Sequence, residues 1–156
     1  MQGNPDRSRA VTKVAAYITW HDRLLVFRQP ASPEAGVQVP AGTLEPGEAP
    51  AHAVLREARE ETGLACLRPS SYLGQNDSTF KDGDGQTVTV HRHFYHLRFC
   101  GQAPERWQHW ESTPSGGVTG PILFELWWAS YQEAEALLLP WFAVFLCQIQ
   151  SELRSE

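Results

Sequence analysis

No stretch of the chain is long or apolar enough to span a bilayer, and the opening MQGNPDRSRA has none of the apolar core of a secretory signal. Neither a membrane protein nor a secreted one is expected. Cysteine is scarce: Cys66, Cys100 and Cys147 are widely spaced and odd in number, which predicts reduced thiols in a cytoplasm, and no zinc spacing occurs among them. Basic residues are outnumbered, 13 Lys and Arg against 18 Asp and Glu, for a net charge of −5 and a pI near 5.7. Without a basic stripe, neither nucleic acid nor an anionic membrane is an expected partner. Internal repeats and low-complexity tracts are also missing, and 156 residues suit one domain with a real core.

What the chain does have is concentrated between Gly42 and Leu64, GTLEPGEAPAHAVLREAREETGL. The pair Pro46-Gly47 marks a turn, Pro50 suits the first turn of a helix, and Gly63 suits the left-handed residue that stops one. A helix from Ala49 to Thr62 follows. At roughly 100° per residue, Ala53, Glu57, Glu60 and Glu61 share about 100° of arc, and Ala51, Val54, Leu55 and Ala58 form an adjoining apolar stripe. The apolar stripe packs the helix on a sheet and so aims the acids.

Grouped carboxylates repel one another and raise each other's pKa, so a purely structural helix gains nothing from them. A Glu-rich helix is ordinarily a solvated face with Glu/Arg pairs. A hard divalent cation changes the sign of that balance, because oxygen-rich sites suit Mg²⁺ or Mn²⁺, which in turn hold phosphate oxygens. Arg56, one turn before Glu60, is placed to orient a carboxylate.

Taken together, Gly42, five residues, Glu48, seven residues and then Arg56-Glu57-Ala58-Arg59-Glu60-Glu61-Thr62-Gly63-Leu64 resemble the complete signature of the Nudix hydrolase superfamily. The resemblance implies hydrolysis of a diphosphate linkage in a nucleoside diphosphate joined to another group, with Mg²⁺ as cofactor and Mn²⁺ able to substitute. It implies that Glu57, Glu60 and Glu61 bind metal together with the carbonyl of Gly42, that Glu57 or Glu60 serves as base, and that Arg56 and Glu48 orient the catalytic carboxylates. A further acid from a later loop is typical of such enzymes, and Glu111 and Glu105 lie in the right region. The family fold implied is an α/β/α sandwich with a mixed β-sheet between helices, over residues 11–156. Two other classes compete: a non-catalytic nucleotide-sensing module, which would be expected to have lost box acids, and a structural interaction protein using the Trp-rich C-terminal half.

The rest of the chain supports an α+β domain. Residues 1–10 are expected to form a mobile tail. Val11–Tyr17 and Leu24–Arg28 read as a hairpin, with Leu24, Val26 and Arg28 on one face and Leu25 and Phe27 on the other. Val37–Val39 reads as a short strand delivering the turn Pro40-Ala41-Gly42. Ala65–Leu73 reads as strand broken at Pro69, and Asp82-Gly83-Asp84-Gly85 as a hairpin turn without the closing glutamate of a calcium loop. Thr87–Cys100 alternates as a long strand that puts His91 and His93 on one face, where a substrate contact fits better than zinc because no third ligand is evident. Gly101–Gly120 reads as a long loop whose tryptophans either stack a base or pack the loop down. Ile122–Ala129 is a strand with Glu125 in its middle, expected on the solvated side ahead of the alternative that it enters a cleft to serve the metals. Tyr131–Leu139 and Trp141–Leu153 read as two helices, the second presenting Phe142, Phe145, Leu146, Ile149 and Leu153 to a core or to a second copy in a homodimer.

As to substrate, the Pro40-Ala41-Gly42 turn is similar to that of members acting on ADP-ribose and sugar nucleotides, ahead of nucleoside triphosphates. The proline that follows the box in ADP-ribose enzymes is replaced by Thr79 and Phe80, the tyrosine of dinucleoside polyphosphate enzymes is missing near Phe80 and Lys81, and no coenzyme A motif is present.

Overall fold

β-Branched and apolar residues dominate Ser8–Trp20 (β1), which turns through His21 and Asp22 into Arg23–Arg28 (β2) in the computed structural model. The structure describes residues 8–112 and 120–154. Of the expected tail, residues 1–7 lie outside that range, and residues 8–10 are instead part of β1, paired in parallel with Thr87–Phe99 (β5). After β2 a 3₁₀ turn leads to Ala41–Thr43 (β3), which pairs with β1 at Lys13, Val14 and Ala15. The expected strand at 37–39 contributes isolated bridges at Val37 and Gln38, and the paired segment lies at Ala41–Thr43.

The box helix is Pro50–Thr62 (α1), with Ala49 as N-cap and Gly63 in the left-handed conformation at its end, φ 76°. Leu67–Lys81 (β4) is one long strand against β5, where a break at Pro69 was expected. Its register slips between Pro69 and Ser71 and again between Tyr72 and Gly74, so the proline, which has no N–H to donate, is taken up in a bulge. The expected loop at 101–120 contains a strand, Arg106–Glu111 (β6), paired with Ile122–Ala129 (β7); residues 113–119 lie outside the described range.

The sheet runs β4-β5-β1-β2-β7-β6 with β3 attached to β1. Val14, Ala16, Ile18, Leu25 and Phe27 face α1, packing on Val54 and Ala58. Ala15, Tyr17, Leu24 and Val26 face the other way, onto Phe142, Leu146, Ile149 and Leu153. The fold is therefore the expected α+β arrangement, a mixed sheet between helical layers, and the apolar face of the last segment is core.

That segment is three helices: Tyr131–Leu137 (α2), Pro140–Ala143 (α3) and Leu146–Arg154 (α4). The expected helix from Trp141 to Leu153 is interrupted because the Tyr17 hydroxyl enters its ladder, donating to the Phe142 carbonyl at 2.5 Å and accepting from the Phe145 N–H at 3.3 Å. A second correction concerns the thiols: Cys66 and Cys100 form a disulfide joining the exit of α1 to the end of β5, and Cys147 alone is free. The chain between them folds back antiparallel, which brings the two side chains together although they are far apart in sequence.

Candidate active site

One carboxylate oxygen from each of Glu57, Glu60 and Glu111 can be chosen so that all three lie within 4.8 Å of one another. Glu57 and Glu60 come from the acidic stripe of α1. Glu111 comes from the end of β6, which the sheet carries alongside that helix. Among the described residues no other group of three or more metal-ligand side chains occurs.

Glu61, also buried, accepts a hydrogen bond from the Ala41 backbone N–H at 3.1 Å. Burial pushes its pKa well up, and the neighbouring Glu111, Glu57 and Glu60 push it further. Burial likewise raises Glu57, against the opposing pull of Arg56. Glu111 is pushed to about 7, first by burial and then by Glu57 and Glu60. These acids are gathered where their charges cannot comfortably coexist, which is the condition a divalent cation relieves.

Gly42 sits directly against Glu57: a Cβ there would overlap the Glu57 carboxyl group. A side chain at Gly42 would push the Glu57 carboxyl group out of its place. Arg56 binds Glu48 at two points, Nε to Oε2 at 2.8 Å and Nη2 to Oε1 at 2.7 Å, and its Nη1 donates to Glu57 Oε1 at 2.8 Å. The guanidinium holds Glu48 at about 2, through its hydrogen bonds first. Arg56 thereby ties the loop before the helix to the first acid of the stripe.

The other candidates fall elsewhere. Glu105 is bound by Arg23 Nη1 at 2.9 Å and is 79% exposed at its side chain, so the structure does not bring it to the acids. Glu125 pairs with Arg28 and Arg106. His91 and His93 do share a face, bonded to Asp77 and Tyr72.

Of the two roles expected for the tryptophans of 101–120, Trp107 takes packing, whereas the contacts that it and His109 make with the box helix were not foreseen. The two residues alternate with Glu111 along β6 and point the same way, Trp107 Nε1 donating to the Thr62 carbonyl at 2.9 Å and His109 Nε2 lying 2.8 Å from the Glu60 carbonyl. Both carbonyls belong to the last turn of α1, where no intrahelical donor exists. The period-two spacing of Trp107, His109 and Glu111 was the available signal. Trp110, on the opposite side of the strand, is 59% exposed beside a cavity of about 510 Å³ lined by Gln29, Pro30 and Ile122. Gln29 and Ile122 also line a cavity of about 320 Å³ that holds Gly42, Glu61 and Glu111.

Comparison with known proteins places this geometry. The family model described as NUDIX domain matches residues 10–144. Among solved structures, the chain is similar to a NUDIX hydrolase from Nitrosomonas europaea, at 23% identity over 92% of this chain and 90% of that one, TM-score 0.62. A MutT NUDIX hydrolase from Burkholderia pseudomallei matches at 19% identity over 90% and 98%, TM-score 0.59. An ADP-ribose pyrophosphatase from Streptococcus suis matches at 17% identity over 94% and 93%, TM-score 0.57. At these identities the likeness is one of fold.

Proposed function

Since the chain belongs to the Nudix family, with a NUDIX domain over residues 10–144, we propose that it is a Mg²⁺- or Mn²⁺-dependent pyrophosphohydrolase of nucleoside diphosphate derivatives. The observation that carries this reading is the meeting of Glu57, Glu60 and Glu111 within 4.8 Å, next to buried Glu61. That donor set is all oxygen and surplus in negative charge, which fits a hard divalent cation. Glu57, Glu60 and Glu61 would hold it with Glu111, and Gly42 would leave the room.

When bound, the cation supplies neutralisation of phosphate oxygens and acidification of water. The residues supply the rest. Arg56, anchored by Glu48, fixes the Glu57 carboxylate. Glu57 or Glu60 takes the proton of the water that attacks one phosphorus, and the other phosphate departs in line. Glu111 belongs to the same carboxylate group and would add an oxygen donor to the cation from outside the helix. Trp110 offers the exposed ring on which a base would stack, in the cavity adjoining the acids. The Pro40-Ala41-Gly42 turn orders the substrates with ADP-ribose and sugar nucleotides first and nucleoside triphosphates next.

The test is ³¹P NMR of products after incubation with Mg²⁺ and a panel of ADP-ribose, sugar nucleotides, dinucleoside polyphosphates and nucleoside triphosphates. Metal-dependent release of two phosphate-bearing products from one of them is expected. Binding without turnover under Mg²⁺ and Mn²⁺ would favour the sensing module instead.

A further inference from the structure

The cavity lined by Glu61 and Glu111 is lined by two cations as well. Lys13 on β1 and Arg92 on β5 are direct neighbours in the parallel register, both are only partly exposed, and both line the 320 Å³ cavity. Neither has a carboxylate partner among the described residues. Arg92 lies over the Phe142 ring, 4.9 Å from its centroid, and its Nε is buried without a hydrogen-bond acceptor. Two like charges side by side, half removed from water, cost stability, and the ring contact of Arg92 offsets only part of that cost.

They are not counter-ions to the catalytic acids. Among the described residues neither is ion-paired with Glu61 or Glu111, and those two acids are raised first by burial and then by other carboxylates. Lys13 in turn is lowered by burial and by Arg92, and Arg92 by burial. The cavity lining therefore combines two acids that suit metal with two cations that have no carboxylate partner among the described residues. Its polar lining otherwise consists of neutral Gln29 and Gln38.

We propose that Lys13 and Arg92 form an anion subsite that selects substrates whose group beyond the metal-held diphosphate begins with a phosphate or similarly compact anion, as in a nucleoside triphosphate, over those where it is a neutral sugar. The inference rests on the hydrolase reading for the position of the diphosphate and reverses the substrate order suggested by the Pro40-Ala41-Gly42 turn. A neutral ribose or hexose would leave both cations desolvated and unpaired. A terminal phosphate gives each an acceptor, and the arginine can offer two N–H groups to one phosphoryl group.

The test is calorimetric binding, with Mg²⁺, of the non-hydrolysable α,β-methylene analogues of ATP and of ADP-ribose to the wild type, Lys13→Met, Arg92→Gln and Arg92→Lys. The wild type is expected to favour the ATP analogue by roughly 10- to 100-fold, the worth of one or two charge-assisted hydrogen bonds. Lys13→Met and Arg92→Gln should each bring the ratio down toward unity by weakening the ATP analogue, with Arg92→Lys retaining part of it. Lys13→Met, which removes like-charge repulsion, should melt no lower than the wild type, so its loss of discrimination cannot be laid to unfolding. Equal binding of the two analogues by the wild type, failure to bind the ATP analogue, or equal weakening of both in the variants would overturn the proposal. The hydrolase reading fails separately: if unmodified ATP and ADP-ribose are bound with this preference but never cleaved, the subsite stands and the catalysis does not.

Discussion

The imidazole of His109 lies 2.8 Å from the carbonyl of Glu60, so an outer strand of the sheet grips the last turn of the helix that carries the acids. Trp107 does the same to Thr62. These are positioning contacts, and their removal acts through the carboxylates. His109→Ala is expected to cost about 1 kcal/mol of stability, as for a lost partly buried hydrogen bond. It should also weaken Mg²⁺ binding several-fold. Urea unfolding and Mg²⁺ titration by calorimetry measure the two, and an unchanged Mg²⁺ affinity would remove the positioning role.

Glu57→Gln and Glu61→Gln each delete a buried charge from a crowded group and remove little apolar contact. Turnover should fall by about 100-fold or more, the scale of lost general-base or metal-centred catalysis. The metal-free variants should melt no lower than the wild type, because repulsion is relieved. Thermal melts without metal and steady-state rates with it test both halves. Full activity in both variants would refute the roles assigned to these acids.

Arg56 is the only cation bonded to Glu48, Glu57 and Glu60 together among the described residues. Arg56→Ala strands all three, so activity should drop and the melting temperature should fall by about 3–6 °C. Arg56→Lys should restore little of either, since an ammonium cannot reproduce the two-point bond to Glu48. Rescue by lysine would show that charge alone suffices.

Stability of the metal-free protein should depend on pH through Glu111. Its pKa is raised to about 7 in the fold from an ordinary 4.5, so between those values the folded state holds a proton that the unfolded chain releases. The benefit of protonation is complete below 4.5 and is lost as pH rises toward 7, a decline on the order of 3 kcal/mol. Glu57 and Glu61, raised in the same direction, add to the slope. Glu111→Gln should flatten it. Denaturant midpoints from pH 4.5 to 8 are the measurement, and a midpoint that climbs over this interval would contradict the assignment.

Thiol titration of the native protein should find one reactive cysteine, the exposed Cys147. After reduction and unfolding it should find all three. Three thiols before reduction would place the chain in the fully reduced state expected from cysteine spacing.

The acid stripe was legible because it follows from helical geometry alone: Pro50, Gly63 and the spacing of Glu57, Glu60 and Glu61 need no tertiary information. The strands Thr87–Phe99 and Ile122–Ala129 were legible for the same reason, by alternation. Strand Arg106–Glu111 was hidden because its inward residues, Trp107, His109 and Glu111, face helix carbonyls and an acid cluster, and are therefore polar where a strand normally shows aliphatic residues. Glu111 was a candidate only by region, and its partnership with Glu57 depends on which strand β6 pairs with. Arg92 had a signal that went unused, an arginine between Val90 and Phe94 on the strand face that also carries Val88, His96 and Arg98. The pairing of Cys66 with Cys100 and the entry of Tyr17 into the last helical segment join residues distant in sequence, which local periodicity does not encode.

The parallel pairing of β1 with β5 has a consequence for how the chain is made. β1 meets β2 only at Thr19 and Trp20, and β3 only at Lys13 to Ala15, whereas it meets β5 at every position from Ser8 to Thr19. The strand at the centre of the sheet thus emerges well before its principal partner, and it waits for that partner until Arg98 has followed. Such long-range closure is slow, and it leaves the edge of Val14, Ala16 and Ile18 open in the meantime. Assembly of the nascent chain should therefore be late and nearly all at once, with chaperone contact concentrated on Ser8–Trp20.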